Sequence, residues 1–147
     1  MARKNPFESL QTLAKGRETR WQRSAGQQLR ALQTEQQRLE QLHNFAEEYS
    51  TAPAAPDTSQ SILAVRGQRQ FVDRLRDAVG QQQQTVATRH AAAEREVAEW
   101  RQARAKRMAL DKFVERRREA ETRKRDRSQQ RALDEVGNRT FIGRRDK

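Results

Sequence analysis

The chain has 147 residues and 17.2 kDa, enough for one domain, and its 31 Lys and Arg outweigh 20 Asp and Glu to leave a net charge of +11. Hydrophobic residues make up 33% against 35% charged, with only two Trp and five Phe. That is too little apolar material for a thick core and argues against a compact enzyme. The absence of cysteine removes disulfides and thiolate metal sites and suits a reducing compartment.

Much of the remaining composition is Ala, Glu, Leu, Arg and Gln, which keep most of their side-chain freedom in a helix, so long exposed helices are expected rather than disorder. Residues 1–10 carry two basic side chains but no apolar run after them, so neither a secretory signal nor a membrane anchor is expected there. Helix 1 is expected over 5–49. It opens with Asn5-Pro6-Phe7-Glu8, where Asn caps, Pro suits the first helical position, and Glu three residues on reaches back to the cap amide. A loop follows over 50–60, where Pro53 and Pro56 remove helical hydrogen bonds amid a cluster of turn formers. Asp57, Thr58 or Ser59 can each cap the next helix, expected over 61–136. Gly137-Asn138 reads as its stop, leaving 137–147 as a flexible tail. The longest apolar stretch, near Ile62 and Val65, is far too short to cross a bilayer, so no membrane insertion and a cytoplasmic location are expected.

Helices of this length need a partner along one seam. In the second arm Val65, Val72, Val79, Val86, Ala93 and Trp100 fall on every seventh residue, and Arg107 and Val114 continue the register. Leu75, Ala103 and Leu110 form the companion rail, interrupted by Gln82, Arg89 and Glu96. The first arm places Ala25, Leu32, Leu39 and Ala46 on one rail and Ala14, Trp21, Leu42 and Tyr49 on the other, interrupted by Gln28 and Glu35. Two heptad arms joined by one loop predict an all-α fold: a single domain built as a long antiparallel two-helix coiled-coil hairpin. A self-associating helix or a bundle with another chain is the alternative, because broken rails do not fix oligomeric state. Gly16, Gly26, Gly67 and Gly80 interrupt good helix formers and mark candidate places of close approach or flexing. The second arm is the longer, so its C-terminal part overhangs. Residues 101–131 hold thirteen Lys or Arg against five Asp or Glu, a net of +8. That overhang is either a solvated helix with alternating charge or a basic surface for an acidic partner.

No glycine-rich phosphate loop, GxSxG turn or Cys and His pairing occurs, so no catalytic residue and no cofactor site is assigned. His43 and His90 lack metal-ligand spacing and read as solvated helix positions. A hairpin would gather Leu42, Phe45 and Tyr49 with Phe71, Leu75 and Ala78 near the loop. This apolar and aromatic patch is not fully absorbed by the seam, because Phe45 and Phe71 cannot both sit on its rails. The other end combines Phe7, Leu10, Leu13 and Arg17 with the basic residues Arg116, Arg117, Arg118, Arg123 and Lys124. Nucleic acid is the rival partner, motivated by a pI near 11.2. It is disfavoured because the basic stretch has no basic-zipper order, no zinc spacing and only Phe113 to stack on a base. A membrane-surface helix is disfavoured for want of a broad apolar face.

Taken together, Leu10 and Leu13 near the start, RLEQLHNFAEEYS ending the first arm, QFVDRLRDAV opening the second, Trp100-Arg101 midway and the Arg/Glu-rich tail resemble the FliJ family of bacterial flagellar type III export. The resemblance covers nearly the whole chain, as a pattern of coiled-coil positions rather than a catalytic motif. It implies a cytoplasmic, non-enzymatic stalk, peripheral to the inner-membrane export apparatus, whose terminal end enters the hexameric ring of the export ATPase. It further implies binding to the cytoplasmic domain of the export gate and escort of export chaperones. On this resemblance Leu42, Phe45, Tyr49, Phe71, Leu75 and Ala78 are the gate-binding residues. By the same analogy Phe7, Leu10, Leu13, Arg17, Arg116, Arg117, Arg118, Arg123 and Lys124 face the ATPase ring. The equivalent stalk of a virulence secretion system is similar in pattern and is the alternative within this class.

Overall fold

The computed structural model describes residues 6–52 and 60–143, which form two long helices and, among the described residues, no strand. Helix α1 spans Pro6–Thr51 and helix α2 spans Gln60–Gly143. The all-helical expectation therefore holds. Asn5, the proline-bearing segment 53–59 with its candidate caps, and residues 144–147 lie outside the described residues. Pro6 opens α1 where its missing amide costs no helical bond, and Glu8 in the first turn complements the positive end of the helix dipole.

The far ends of the helices differ from expectation. Helix α1 continues past residue 49 to Thr51, and its terminal carbonyls are satisfied individually. The Thr51 hydroxyl donates to the Glu47 carbonyl at 2.8 Å, the Ala52 amide to Glu48 at 3.1 Å, and the Gln68 side-chain amide of α2 to Tyr49 at 2.9 Å. Helix α2 does not stop at Gly137-Asn138 but runs on to Gly143. Glycine costs only about 1 kcal/mol inside a helix, and there is no proline to enforce a break. Beyond Gly137, the Thr140 hydroxyl donates to the carbonyls of Val136 and Gly137, and Arg139 reaches Glu135 at 3.5 Å.

Contacts divide the chain into two compact units: one is Arg17–Ala103, the other Met1–Gly16 with Arg104–Lys147. In the larger unit Ser24 meets Glu96, Glu35 meets Gln82, and Tyr49 meets Phe71, so rising numbers on α1 face falling numbers on α2. These pairs are consistent with a hairpin. Its buried residues are Ala25 and Leu32 on α1 and Val79 and Ala93 on α2. Half-buried Trp21, Leu39, Leu42 and Ala46 continue the line on α1, and Val65, Val72, Leu75, Val86 and Trp100 do so on α2. All lie on the rails read from seven-residue spacing, so the core is a single apolar line.

The polar interruptions of that line are handled by one another. The Gln82 amide donates to the Glu35 carbonyl at 3.0 Å and to its carboxylate at 2.7 Å, while Arg38 holds the other carboxylate oxygen at 3.0 Å. The Ser24 hydroxyl donates to the Glu96 carboxylate at 2.7 Å. Between these two layers the side-chain oxygen of Gln28 is buried without a hydrogen-bond partner, and Arg89 remains exposed. Gln82 together with Arg38 and Arg89 holds the Glu35 carboxyl below the usual carboxylate range, with the Gln82 hydrogen bond the largest influence and partial burial opposing it.

In the smaller unit Val114 is buried, 2% exposed. Phe7 packs edge-on against Phe113 with ring centroids 5.8 Å apart. Asp111 accepts from the Gln11 amide at 3.0 Å and from Arg107 at 2.8 Å. From residue 115 to 143 every residue of α2 is exposed. None of the glycines marks a close approach: a Cβ built at Gly16, Gly26, Gly67 or Gly80 meets nothing within 4 Å.

Candidate functional site

The residues singled out next to the loop all lie in the larger unit, where Tyr49 of α1 meets Phe71 of α2. Seven-residue spacing puts Leu42 on the α1 seam, half-buried, while Phe45 sits one turn on and off the rail, 51% exposed. Tyr49 occupies the last rail position of α1 and is 44% exposed, because the seam is ending there. Across from it, Phe71 precedes the rail residue Val72 and is 42% exposed. The Tyr49 and Phe71 rings meet edge to face, with centroids 4.8 Å apart and planes 70° apart. Leu75 and Ala78 are half-buried one and two turns further along α2. The patch therefore joins side chains committed to the seam, Leu42 and Leu75, to aromatic faces left in water.

A shallow cleft adjoins the patch, lined by Tyr49, Ser50, Val65, Gln68, Asp73 and Arg76 among others. Gln68 was not singled out by sequence reasoning. It sits on a seam rail four residues before Val72, and by donating to the Tyr49 carbonyl it ties the end of α1 to α2. Its signal in the sequence was its heptad position. A polar residue on an apolar rail invites the question of which orphaned backbone group it serves. Asp73 and Arg76 face each other at 3.8 Å with both side chains largely exposed, a weak surface pair.

At the other candidate surface, Phe7 is half-buried against Phe113, and the guanidinium of Arg117 lies over the Phe7 ring, 5.0 Å from its centroid. This cation–π contact anchors the first turn of α1 to α2. Leu10 and Leu13 are exposed, 49% and 55%, on the outside of α1. Arg116, Arg118 and Lys124 are exposed, Arg117 reaches Glu121 at 3.7 Å, and Arg123 pairs with Glu119 at 3.2 Å. Arg17 is exposed and belongs to the larger unit. His43 and His90 are both exposed, and His90 lies 3.7 Å from Glu94.

Among the described residues the arrangement leaves the Tyr49 and Phe71 rings partly exposed, and every residue of α2 from 115 to 143 exposed. Among the described residues no group of three metal-ligating side chains assembles, and no helix is long and apolar enough to cross a membrane. No curated protein and no solved structure matches the chain. The family model of the flagellar FliJ protein matches residues 3–146, nearly the whole chain, in keeping with the heptad rails and the unenclosed surfaces. The chain is a member of the flagellar FliJ protein family.

Proposed function

We propose that this flagellar, type III export-related protein acts as the central stalk of the export ATPase ring, and that it is a non-enzymatic, cytoplasmic component peripheral to the inner-membrane export apparatus. In this reading the two helices form an antiparallel coiled coil with a basic overhanging C-terminal helix. The chain works in this reading as one coiled-coil domain, supported by a family match over residues 3–146. Phe7, Leu10, Leu13, Arg17, Arg116, Arg117, Arg118, Arg123 and Lys124 contact the ring. A rod with unlike side chains around its circumference cannot satisfy six equivalent subunits alike, so its contacts bias their nucleotide states unequally. Leu42, Phe45, Tyr49, Phe71, Leu75 and Ala78 bind the cytoplasmic domain of the export gate, and the protein escorts unloaded export chaperones.

The observation that carries the gate reading is the exposed aromatic pair. Phe45 and Phe71 keep more than two-fifths of their surface in water beside a seam they do not enter, and Tyr49, where that seam ends, stays similarly exposed with its ring against Phe71. Large aromatics left out of an available core are characteristic of interface anchors. Two experiments test the reading. Hydrolysis and ring formation by purified export ATPase should rise on adding the chain; no change would refute the stalk role. The double substitution Phe71→Ala with Leu75→Ala should leave helicity intact yet lose capture of the gate domain, and undiminished capture would assign the patch to folding alone.

A further inference from the structure

The seam rail of α2 does not end where α1 does. Past Val114 the same heptad positions are taken by Arg117, Glu121, Lys124, Ser128 and Arg131, all exposed, so the line that is apolar under α1 becomes polar and mainly cationic once uncovered. Beside it Ala120, Arg123, Lys124, Arg127, Ser128 and Arg131 line a shallow groove.

We propose that this groove docks an acidic helix of a partner protein, seated on α2 where α1 no longer covers it. Three observations converge. Elsewhere on the same exposed helix cations sit four residues from carboxylates, as in Arg117 with Glu121, Glu119 with Arg123 and Glu135 with Arg139. On the groove wall the spacing instead puts cation on cation, Arg123 to Arg127 to Arg131, which destabilises an isolated helix and is relieved by a carboxylate-bearing neighbour. Lys124, Arg127 and Arg131 have no carboxylate within 4 Å among the described residues. Finally, the lining includes the small side chains of Ala120 and Ser128, and the row Arg123 to Arg131 spans ~12 Å at ~1.5 Å per residue, matching carboxylates repeated every four residues on a partner helix.

Charge selects the occupant. A second copy's groove would bring like charge to like. Single-stranded nucleic acid is the poorer fit because residues 114–131 contain no aromatic side chain for bases to stack on, and a lipid surface because the only hydrophobic side chain over 115–131 is Ala120; duplex DNA, which needs no stacking, is the competitor in the test. The proposal deepens the stalk reading and rests on it only for which protein supplies the acidic helix.

The test uses the full chain and a labelled helical peptide of Glu, Ala and Gln with Glu at every fourth residue. A second peptide of the same composition has its Glu distributed around the helix. The striped peptide should bind more tightly by about tenfold at low salt, and Arg127→Glu with Arg131→Glu should abolish that preference with helicity unchanged. Arg125→Glu with Arg139→Glu, the same change of charge on other faces, should preserve it. Equal binding of the two peptides, equal loss in both variants, or duplex DNA or anionic phosphatidylglycerol vesicles competing better than the striped peptide overturns the groove. ATPase stimulation measured on the same variants separates the two readings. Stimulation without peptide preference removes the groove alone, and peptide preference without stimulation by the wild-type chain removes the stalk.

Discussion

Leu29 and Leu32 are one turn apart on α1 and chemically identical, yet Leu29 is 48% exposed and Leu32 only 8%. Replacing Leu32 by alanine removes three buried carbon groups, worth about 2.4 kcal/mol at ~0.8 kcal/mol each. In a thick core a residual cavity adds to this, but a two-helix seam is open along both sides and collapses or wets readily, so the total should remain at about 2–3 kcal/mol. For a chain of this size that corresponds to a midpoint about 5–10 °C lower. The same truncation at Leu29 should cost less than ~1 kcal/mol, because half of the side chain is already in water and alanine is the better helix former. Thermal and urea unfolding followed by far-ultraviolet circular dichroism measures both. Equal shifts for the two variants would refute the assignment of the seam to the rail through Ala25, Leu32, Leu39 and Ala46.

Two other predictions bear on the seam and its flanks. Gly67→Ala and Gly80→Ala should each stabilise by about 0.5–1 kcal/mol, because the added Cβ enters open space and alanine lowers the entropy lost on folding; a fall in melting midpoint would mean that something packs there. Since the Glu35 carboxyl is held below its ordinary range in the folded chain, its ionised form contributes stability that is complete above the ordinary carboxylate value and lost as pH falls through the lowered folded value. Glu35→Gln should therefore flatten part of the decline in melting midpoint between about pH 6 and pH 3, and parallel curves for variant and wild type would exclude this contribution.

Heptad spacing is a local property, so the positions that bury apolar surface were legible without any structure: Ala25, Leu32, Val79, Ala93 and Val114, the five buried hydrophobic residues among those described, all fall on the rails. The exposure of Phe45 and Phe71 was legible for the same reason, since a rail holds one face of a helix and excludes its neighbours. That both belong to one exposed patch with Tyr49 required only that the arms fold back. The membership in the FliJ family was likewise carried by the sequence pattern, and the family match over residues 3–146 bears it out.

Pairing across the helices was not legible. Gln28, Glu35, Gln82 and Glu96 read as defects in their own helices, and only the register set by all the apolar layers together puts Gln82 against Glu35 and Ser24 against Glu96. The end of α2 was misread for the opposite reason: Gly137-Asn138 is a local stop signal of about 1 kcal/mol, and the surrounding helix outweighs it. The division into two units and the service of Gln68 to the last carbonyls of α1 also arise from contacts between residues far apart in the chain. Sequence by itself determined which face of each helix is apolar, because helical periodicity acts over a few residues; tertiary structure decided which polar groups answer one another, because that depends on how two helices are aligned along their whole shared length.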